Sequence, residues 1–339
     1  MDKLLEGFII NLSSPVIFLI IAGSLYTLSK GADVLVSNAV SISEQLGIPK
    51  MIIGATIVSL GTTLPETSVS VMAAIKGNAD LALGNAVGSI ICDTALILGI
   101  ASLISPLPLK KEIVNRHGWI QLGSGILLVL LSLPYSNIKG ILSEGGRINQ
   151  LSGFLLLALL AAYIYISIKW TRNQNEEEAA TIAQGSVEIN KVSVFIRLII
   201  GMAVVILSSK VLIPAVTEAA IRMKVPNSII AATLVAFGTS LPELVTAITA
   251  TLKGHGELAV GNIIGADILN VLFVMGSATA VTKGGIAVPP EFFTLYFPAM
   301  MFVLALFRVG TIVSKDSLKR PFGFILLATY ALVTIISYV

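Results

Sequence analysis

Two glutamates, Glu66 and Glu243, each follow a proline inside a long apolar run: GTTLPE at 61–66 and GTSLPE at 238–243. A charged side chain at the centre of an apolar span costs about 3 kcal/mol by insertion scales. It is retained where it faces a cavity, a partner or an ion. Lys30 and Lys210 are the only bases inside apolar runs and do not occupy equivalent positions, so pairing with a buried base does not account for both acids. Pro65 and Pro242 each remove one helical hydrogen bond and clash with the carbonyl four residues back, that of Gly61 or Gly238. Unwound carbonyls at membrane depth are tolerated where they line a cavity, and they suit hard cations. Thr62 and Thr63, four and three residues before Glu66, share its helix face, and Thr239, Ser240 and Glu243 repeat the arrangement. A second polar stripe runs Asn85, Ser89, Asp93 at i, i+4, i+8, with Asn262, Ala266, Asn270 as its second copy. Gly84, Gly88, Gly261 and Gly265 give small-x-x-x-small spacings that mean close helix packing rather than ligation.

The inventory is three carboxylates, an amide, several hydroxyls and freed carbonyls, all oxygen donors. Hard cations take six to eight such donors, with carboxylates for Ca²⁺. His117 and His255 lie near ends of apolar runs and there is one cysteine, Cys92, so neither a Zn²⁺ or Cu⁺ site nor a disulfide framework is expected. Three carboxylates at low dielectric do not all stay charged alone: a cation binds or some protonate. A divalent ion, monovalent ions or protons can each neutralise such a cluster, but not together, and that is the physical root of exchange.

The elements that hold these residues are apolar. The 339-residue chain is 55% hydrophobic and 12% charged, with a mean hydropathy of +0.92. A soluble domain carries about 25% charged residues, so this chain faces lipid, which excludes a soluble enzyme and a nucleic-acid binder. Long continuous runs exclude a β-barrel. Ten runs are found, at roughly 8–42, 51–76, 81–105, 118–134, 150–169, 192–221, 228–252, 257–281, 291–309 and 321–338. The expected class is an all-α polytopic membrane protein. With the N-terminus outside, 13 Lys and Arg fall inside and 7 outside, a positive-inside bias that puts both termini outside. The polar stretch 171–190, with Glu176, Glu177 and Glu178, reads as a solvated cytoplasmic linker between halves 1–170 and 191–339. Trp119, Trp170, Tyr135 and Tyr296 read as interfacial anchors.

Shifted by 177 residues, the chain matches itself: 54–99 and 231–276 share 18 of 46 positions without a gap. Each half holds five spans, and an odd number makes the second half enter from the opposite side. Inverted repeats belong to secondary transporters whose site lies near the midplane where the repeats meet. An intramembrane aspartyl protease would need Gly-x-Gly-Asp. Gly31-Ala32-Asp33 and Gly265-Ala266-Asp267 are not that motif. A channel or structural role would not explain the repeated acids.

At GTTLPE, GTSLPE, GNAVGS (84–89) and GNIIGA (261–266) the chain resembles the calcium/cation antiporter superfamily, and among its members prokaryotic sodium/calcium exchangers. The resemblance implies ten helices in two inverted five-helix repeats and a plasma-membrane antiporter, not an enzyme. It implies exchange of Ca²⁺ for Na⁺ without a resident cofactor. It also implies Glu66, Glu243, Asp93 and Asn270 as Ca²⁺ ligands, backbone carbonyls of Thr62 and Thr239 beside them, and Ser59, Thr63, Ser89, Ala236 and Ser240 as Na⁺ donors. Two departures stand out. Asp93 and Asn270 exchange the amide and acid of the familiar exchangers, and Ala266 replaces a serine, with an extra acid, Asp267, behind it. Asp267 sits about 100° around the helix from position 266, as a further, peripheral candidate for metal. These departures keep Ca²⁺/H⁺ or K⁺-coupled exchange as the alternative.

Overall fold

The computed structural model describes residues 7–135, 137–182, 191–224, 238–314 and 316–337, with the side chains of 171–182 and 191 excepted. The protein is mostly helical. In chain order the helices are α1 Ser14–Leu46, α2 Lys50–Thr62, α3 Leu64–Ile75, α4 Ala79–Ile104, α5 Lys111–Ser132, α6 Gln150–Ile182, α7 Lys191–Arg222, α8 Leu241–Leu252, α9 Gly256–Val281, α10 Phe292–Val313 and α11 Arg320–Ile336. Six of them, α1, α4, α6, α7, α9 and α10, carry stretches long and apolar enough to cross a membrane. Helix boundaries are set by local chemistry. Gly47 closes α1 in the left-handed conformation at φ 63°, its amide meeting the Glu44 carbonyl while Ile48 N–H reaches Ser43 O, a cap glycine adopts without a Cβ penalty.

The repeat is visible in the element boundaries. Moved by 177 residues, the bounds of α3 become those of α8, and those of α4 become those of α9. Both α4 and α9 contain a π-helical turn, Cys92–Ile97 and Asn270–Met275. α2 has another at Gly54–Val58. α6 departs from expectation by running on through Ile182, so much of the expected linker is helical backbone. Apart from Asn173 and Asn175 its NQNEEEAA stretch is built of good helix formers, and it has no glycine or proline before Gly185.

The two halves of the chain interleave. Strand β1 (Leu107–Pro108), before α5, pairs antiparallel with β4 (Ser317–Leu318), after α10. Strand β2 (Gly146–Ile148), after α5, pairs antiparallel with β3 (Ile286–Val288), before α10. The start of α5 is thus clipped to the end of α10 and the reverse, so the two helices are antiparallel. The ends of α4 and α9 are exchanged in the same manner: α4 packs on α11, and α9 on α6. Glycines allow both approaches. A Cβ on Gly323 would come 2.8 Å from Gly99 O, and one on Gly153 would come 2.9 Å from Gly276 O. α9 is almost wholly buried and α4 largely so, whereas α1 and α7 pack on each other at the rim, crossing at Gly31 and Gly201.

Candidate cation site

The prolines act as expected. α2 ends at Thr62 and α3 begins at Leu64, with Thr63 between them (φ −80°, ψ 0°) and Pro65 in the first turn of α3. Ser240 takes a similar conformation (φ −85°, ψ 9°) before α8. Glu66 and Glu243 therefore stand in the first turns of short helices, where the positive end of the helix dipole favours negative charge.

Glu66, Glu243, Asp93 and Asn270 are all about 1% exposed. Glu66 is within electrostatic reach of Glu243 and Asp93, and Asp93 of Glu243. All six oxygens of these three carboxylates, and the Asn270 Oδ1, lack a hydrogen-bond partner. The ion pairs among the described residues join Lys50 to Glu44, Arg222 to Glu218 and Lys253 to Asp33, none of them at this cluster. Lys30 is exposed and lies over the Tyr26 ring. Pairing with a buried base therefore does not hold these acids. Among the described residues no three His, Cys, Asp or Glu side chains gather as a ready metal centre, so closing round one ion needs hydroxyls and carbonyls too.

The hydroxyls do not sit as the one-face reading predicted. Thr62 and Thr63 face Glu243 of the other repeat, Thr239 faces Glu66, and Ser240 faces Asp93. None closes a hydrogen bond to the carboxylate it faces. The cause is the helix break, which turns the threonines away from the glutamate that follows them. Between repeats, Thr239 Oγ1 donates to Asn85 Oδ1 at 3.0 Å and Ser240 Oγ to Ser89 Oγ at 3.2 Å. On the equivalent side, Thr62 Oγ1 reaches Asn262 Oδ1 at 3.5 Å and Thr63 Oγ1 has no partner, because Ala266 stands where Ser89 stands in the first copy. Ser59, Thr63, Ser89 and Ser240 are buried. Ala236 lies outside the described residues.

Gly261 and Gly265 are packing residues: a Cβ on Gly261 would strike the Met51 carbonyl, and one on Gly265 would lie 2.6 Å from Ala55 Cα. The equivalent surface for Gly84 and Gly88, residues 228–236, is outside the described residues.

Residues 16–169 and 193–339 match the family described as "Sodium/calcium exchanger protein". The chain belongs to that family. It is 31% identical over 283 residues to the inner membrane protein YrbG of Escherichia coli, covering 82% of this chain and 83% of that one. It is 27% identical over 348 aligned residues to the sodium/calcium exchanger MaX1 of Methanosarcina acetivorans, covering 95% and 99%. Its fold is similar to that of the solved sodium-calcium exchanger NCX_Mj soaked with Na⁺ and Sr²⁺, with TM-score 0.75 at 24% identity over 95% of this chain and 99% of that one. The protein is thus a transmembrane cation antiporter of a Ca²⁺-exchanging family.

Within this exchanger, Asp267 is not peripheral. It is buried, accepts a hydrogen bond from Gln121 Nε2 at 2.6 Å and another from Thr94 Oγ1, and lies within electrostatic reach of Asp93. The angular argument from position 266 located the residue on the helix but not the neighbours: that side of α9 meets α4 and α5 rather than lipid. Thr94, Gln121 and Ser70 join this network without being among the residues the sequence motifs point to. Gln121 carried a signal, an amide inside an apolar run. Ser70, which accepts from Asn85 Nδ2 at 2.9 Å, carried none, since its equivalent is Ala247.

Proposed function

We propose that this antiporter exchanges Ca²⁺ for Na⁺ by alternating access at the Glu66–Glu243 cluster. The observation that carries the reading is three buried carboxylates, all six oxygens unpartnered, at the meeting point of the two repeats. In this reading Glu66, Glu243, Asp93 and Asn270 hold Ca²⁺ with the Thr62 and Thr239 carbonyls. Ser59, Thr63, Ser89, Ala236 and Ser240 supply donors to Na⁺. Three ionised carboxylates carry −3, and Ca²⁺ leaves about −1. Adding Na⁺ to the same ligands while Ca²⁺ stays would crowd cations, since two unit charges about 4 Å apart repel by about 4 kcal/mol at an effective dielectric near 20. The ions therefore alternate.

The scaffold in this proposal is ten crossing segments in two inverted halves, 1–170 and 191–339, with both termini outside and the joining segment 171–190 cytoplasmic. Antiparallel α5 and α10, equivalent by the repeat, support the inversion. So does the 3.4 Å approach of Lys50 Nζ, at the start of α2, to His255 Nδ1, at the end of the α8 turn. The α2–α3 pair then carries Lys76 to the far face from its equivalent, Lys253. Cysteines at 76 and 253 labelled from one side together would sink the inversion.

A second reading, Ca²⁺/H⁺ exchange, is favoured by Ala266, which removes one hydroxyl, and by Asp267, a fourth buried acid beside Asp93. Proteoliposomes loaded for ⁴⁵Ca²⁺ uptake and driven separately by Na⁺, H⁺ and K⁺ gradients decide. Uptake on the Na⁺ gradient alone is expected. Uptake on the proton gradient alone would establish the second reading, and uptake that needs K⁺ would overturn both.

A further inference from the structure

The end of α10 carries a buried arginine that the exchange cluster does not use. Arg308 is 5% exposed. Its guanidinium lies 4.6 Å from the centre of the Trp119 ring, with Nη2 donating to Asn115 Oδ1 at 2.8 Å and Nη1 to Thr311 Oγ1 at 3.2 Å. Nε has no partner. Gly118 makes room for the group: a Cβ there would stand 3.3 Å from Nη1 and 3.6 Å from Cδ. Beside it is a crevice of about 390 Å³ lined by Lys111, Asn115, Trp119, Arg308, Thr311 and Ile312. Among the described residues that line it there is no carboxylate. Two cations thus share one opening, and among the described residues the contacts of the buried one are to neutral dipoles and a ring face. A buried charge without an opposite charge is a standing cost that an anion removes.

The surroundings say which anion. Trp119 and Ile312 line this opening as exposed apolar side chains, Val309 and Val313 on the same helix as Ile312 are exposed too, and in a membrane protein such a surface meets acyl chains. The chain on either side carries basic pairs, Lys110 and Lys111 where α5 begins and Lys319 and Arg320 where α11 begins, and the β1–β4 clip holds these ends together. A planar guanidinium beside a lysine is suited to two oxygens of one phosphate. Basic pockets between membrane helices on a positively charged face recognise lipid head groups. We propose that the Arg308 crevice is a head-group site for an anionic phospholipid, its phosphate on Arg308 and Lys111 and its acyl chains along Trp119 and Ile312. A lipid seated there would brace the start of α5 against the end of α10.

Trp119 reports on its own site, since the chain has only one other tryptophan, Trp170. The test uses the full chain carrying Trp170→Phe, reconstituted in phosphatidylcholine bilayers into which phosphatidylglycerol is titrated while Trp119 emission is followed. A saturable change is expected. Lys111→Gln, at an exposed position on the rim, should raise the midpoint about fivefold, the worth of one basic residue near an anionic surface. Arg308→Gln should remove the response. No saturable change, or equal midpoints with and without Lys111, would overturn the proposal. Millimolar inorganic phosphate in pure phosphatidylcholine should leave emission unchanged. If it reproduces the whole response, the site takes a free anion and the lipid assignment fails.

Discussion

At one corner of the cation cluster Thr239 donates to Asn85 and Ser240 to Ser89, and the Asn85 amide is in turn fixed on the Glu66 carbonyl and Ser70. At the equivalent corner Thr62 reaches Asn262 at the limit of a hydrogen bond, Thr63 Oγ1 reaches nothing, and Asn262 Nδ2 reaches nothing. Two alanines account for the difference. Ala266 stands in place of Ser89's hydroxyl and Ala247 in place of Ser70's. A buried polar group left unmade costs about 1–3 kcal/mol, so the first corner is tied by its own side chains and the second holds donors and acceptors in reserve. Duplication supplied one scaffold. Two hydroxyls present in the first copy and absent from the second tie one side of it and leave the other ready to meet something else. Asp267, bonded to Thr94 and Gln121, extends the asymmetry, since its equivalent is Ile90.

The largest effect is expected where the two corners do not differ. Glu66→Gln and Glu243→Gln each remove one charge from the cluster, and ligand charge is what sets Ca²⁺ affinity at an oxygen site. Each variant should lose Ca²⁺ affinity by about a hundredfold or more and abolish flux while remaining monodisperse. Calorimetric Ca²⁺ titration of both proteins checks this. Near-normal affinity in either would remove that glutamate from the site and break the equivalence of the corners.

A smaller change is expected at the missing hydroxyl. Ala266→Ser offers Thr63 the partner that Ser89 gives Ser240, and adds an oxygen where Na⁺ coordination is proposed. Half-saturating Na⁺ for Ca²⁺ release should fall several-fold, and Ser89→Ala should raise it by a similar factor. Under proton coupling the same serine would leave the pH dependence of Ca²⁺ uptake in place and Na⁺ without effect, so this pair of variants also separates the two driving ions.

Smaller again is the structural tie. Ser70→Ala leaves the Asn85 amide with the Glu66 carbonyl alone and should cost about 0.5–1.5 kcal/mol, while Ala247→Ser offers Asn262 a partner and should return about 0.5–1.5 kcal/mol. Thermal unfolding in detergent measures both. Equal and opposite shifts would show that the corners differ by these hydroxyls. A destabilised Ala247→Ser would mean that the second corner has closed around the smaller side chain.

Much of this was legible in the residues. The repeat placed α3 over α8 and α4 over α9, and Pro65 and Pro242 foretold the breaks before both glutamates, because proline acts through its own backbone. What could not be read was which hydroxyl faces which acid. Thr62 and Thr239 each lie in the same repeat as one glutamate but meet the glutamate of the other, and that depends on how the helices cross between halves. Asp267 reads as peripheral in the sequence for the same reason: a helical angle fixes direction from the axis, while the neighbour in that direction comes from α4 and α5. The strand clips are not legible in the sequence because a two- or three-residue strand has no periodicity to detect. The helical run of α6 through Ile182 follows its Glu- and Ala-rich composition, whereas its charge alone reads as a solvated linker.

The smallest effect concerns the two turns that open α4 and α9. Asn78 caps α4, its side chain accepting from Leu81 N–H at 3.1 Å. His255 holds the same place before α9 and makes no side-chain cap bond. It meets Lys50 Nζ at 3.4 Å instead, while the equivalent of Lys50, Asn227, lies outside the described residues. Partial burial, and then the Lys50 ammonium, hold the His255 imidazole below its usual value near 6.5. The fold therefore favours neutral His255. The stability this contributes is complete above about pH 6.5, where the unfolded chain is also neutral, and is lost as pH falls through the lower folded value. His255→Asn removes the titrating group next to Lys50 and installs the capping side chain that Asn78 already provides, worth about 1 kcal/mol at an N-cap. The variant should melt slightly higher than the parent at pH 7.5, and its advantage should widen at pH 5, where the parent must place a second cation beside Lys50. Melting curves at the two pH values read this directly. An advantage that shrinks on acidification would mean that protonated His255 gains a partner in Glu44 or Glu257, both of which pull its titration the other way, and that the α9 turn is steadied by acid rather than loosened by it.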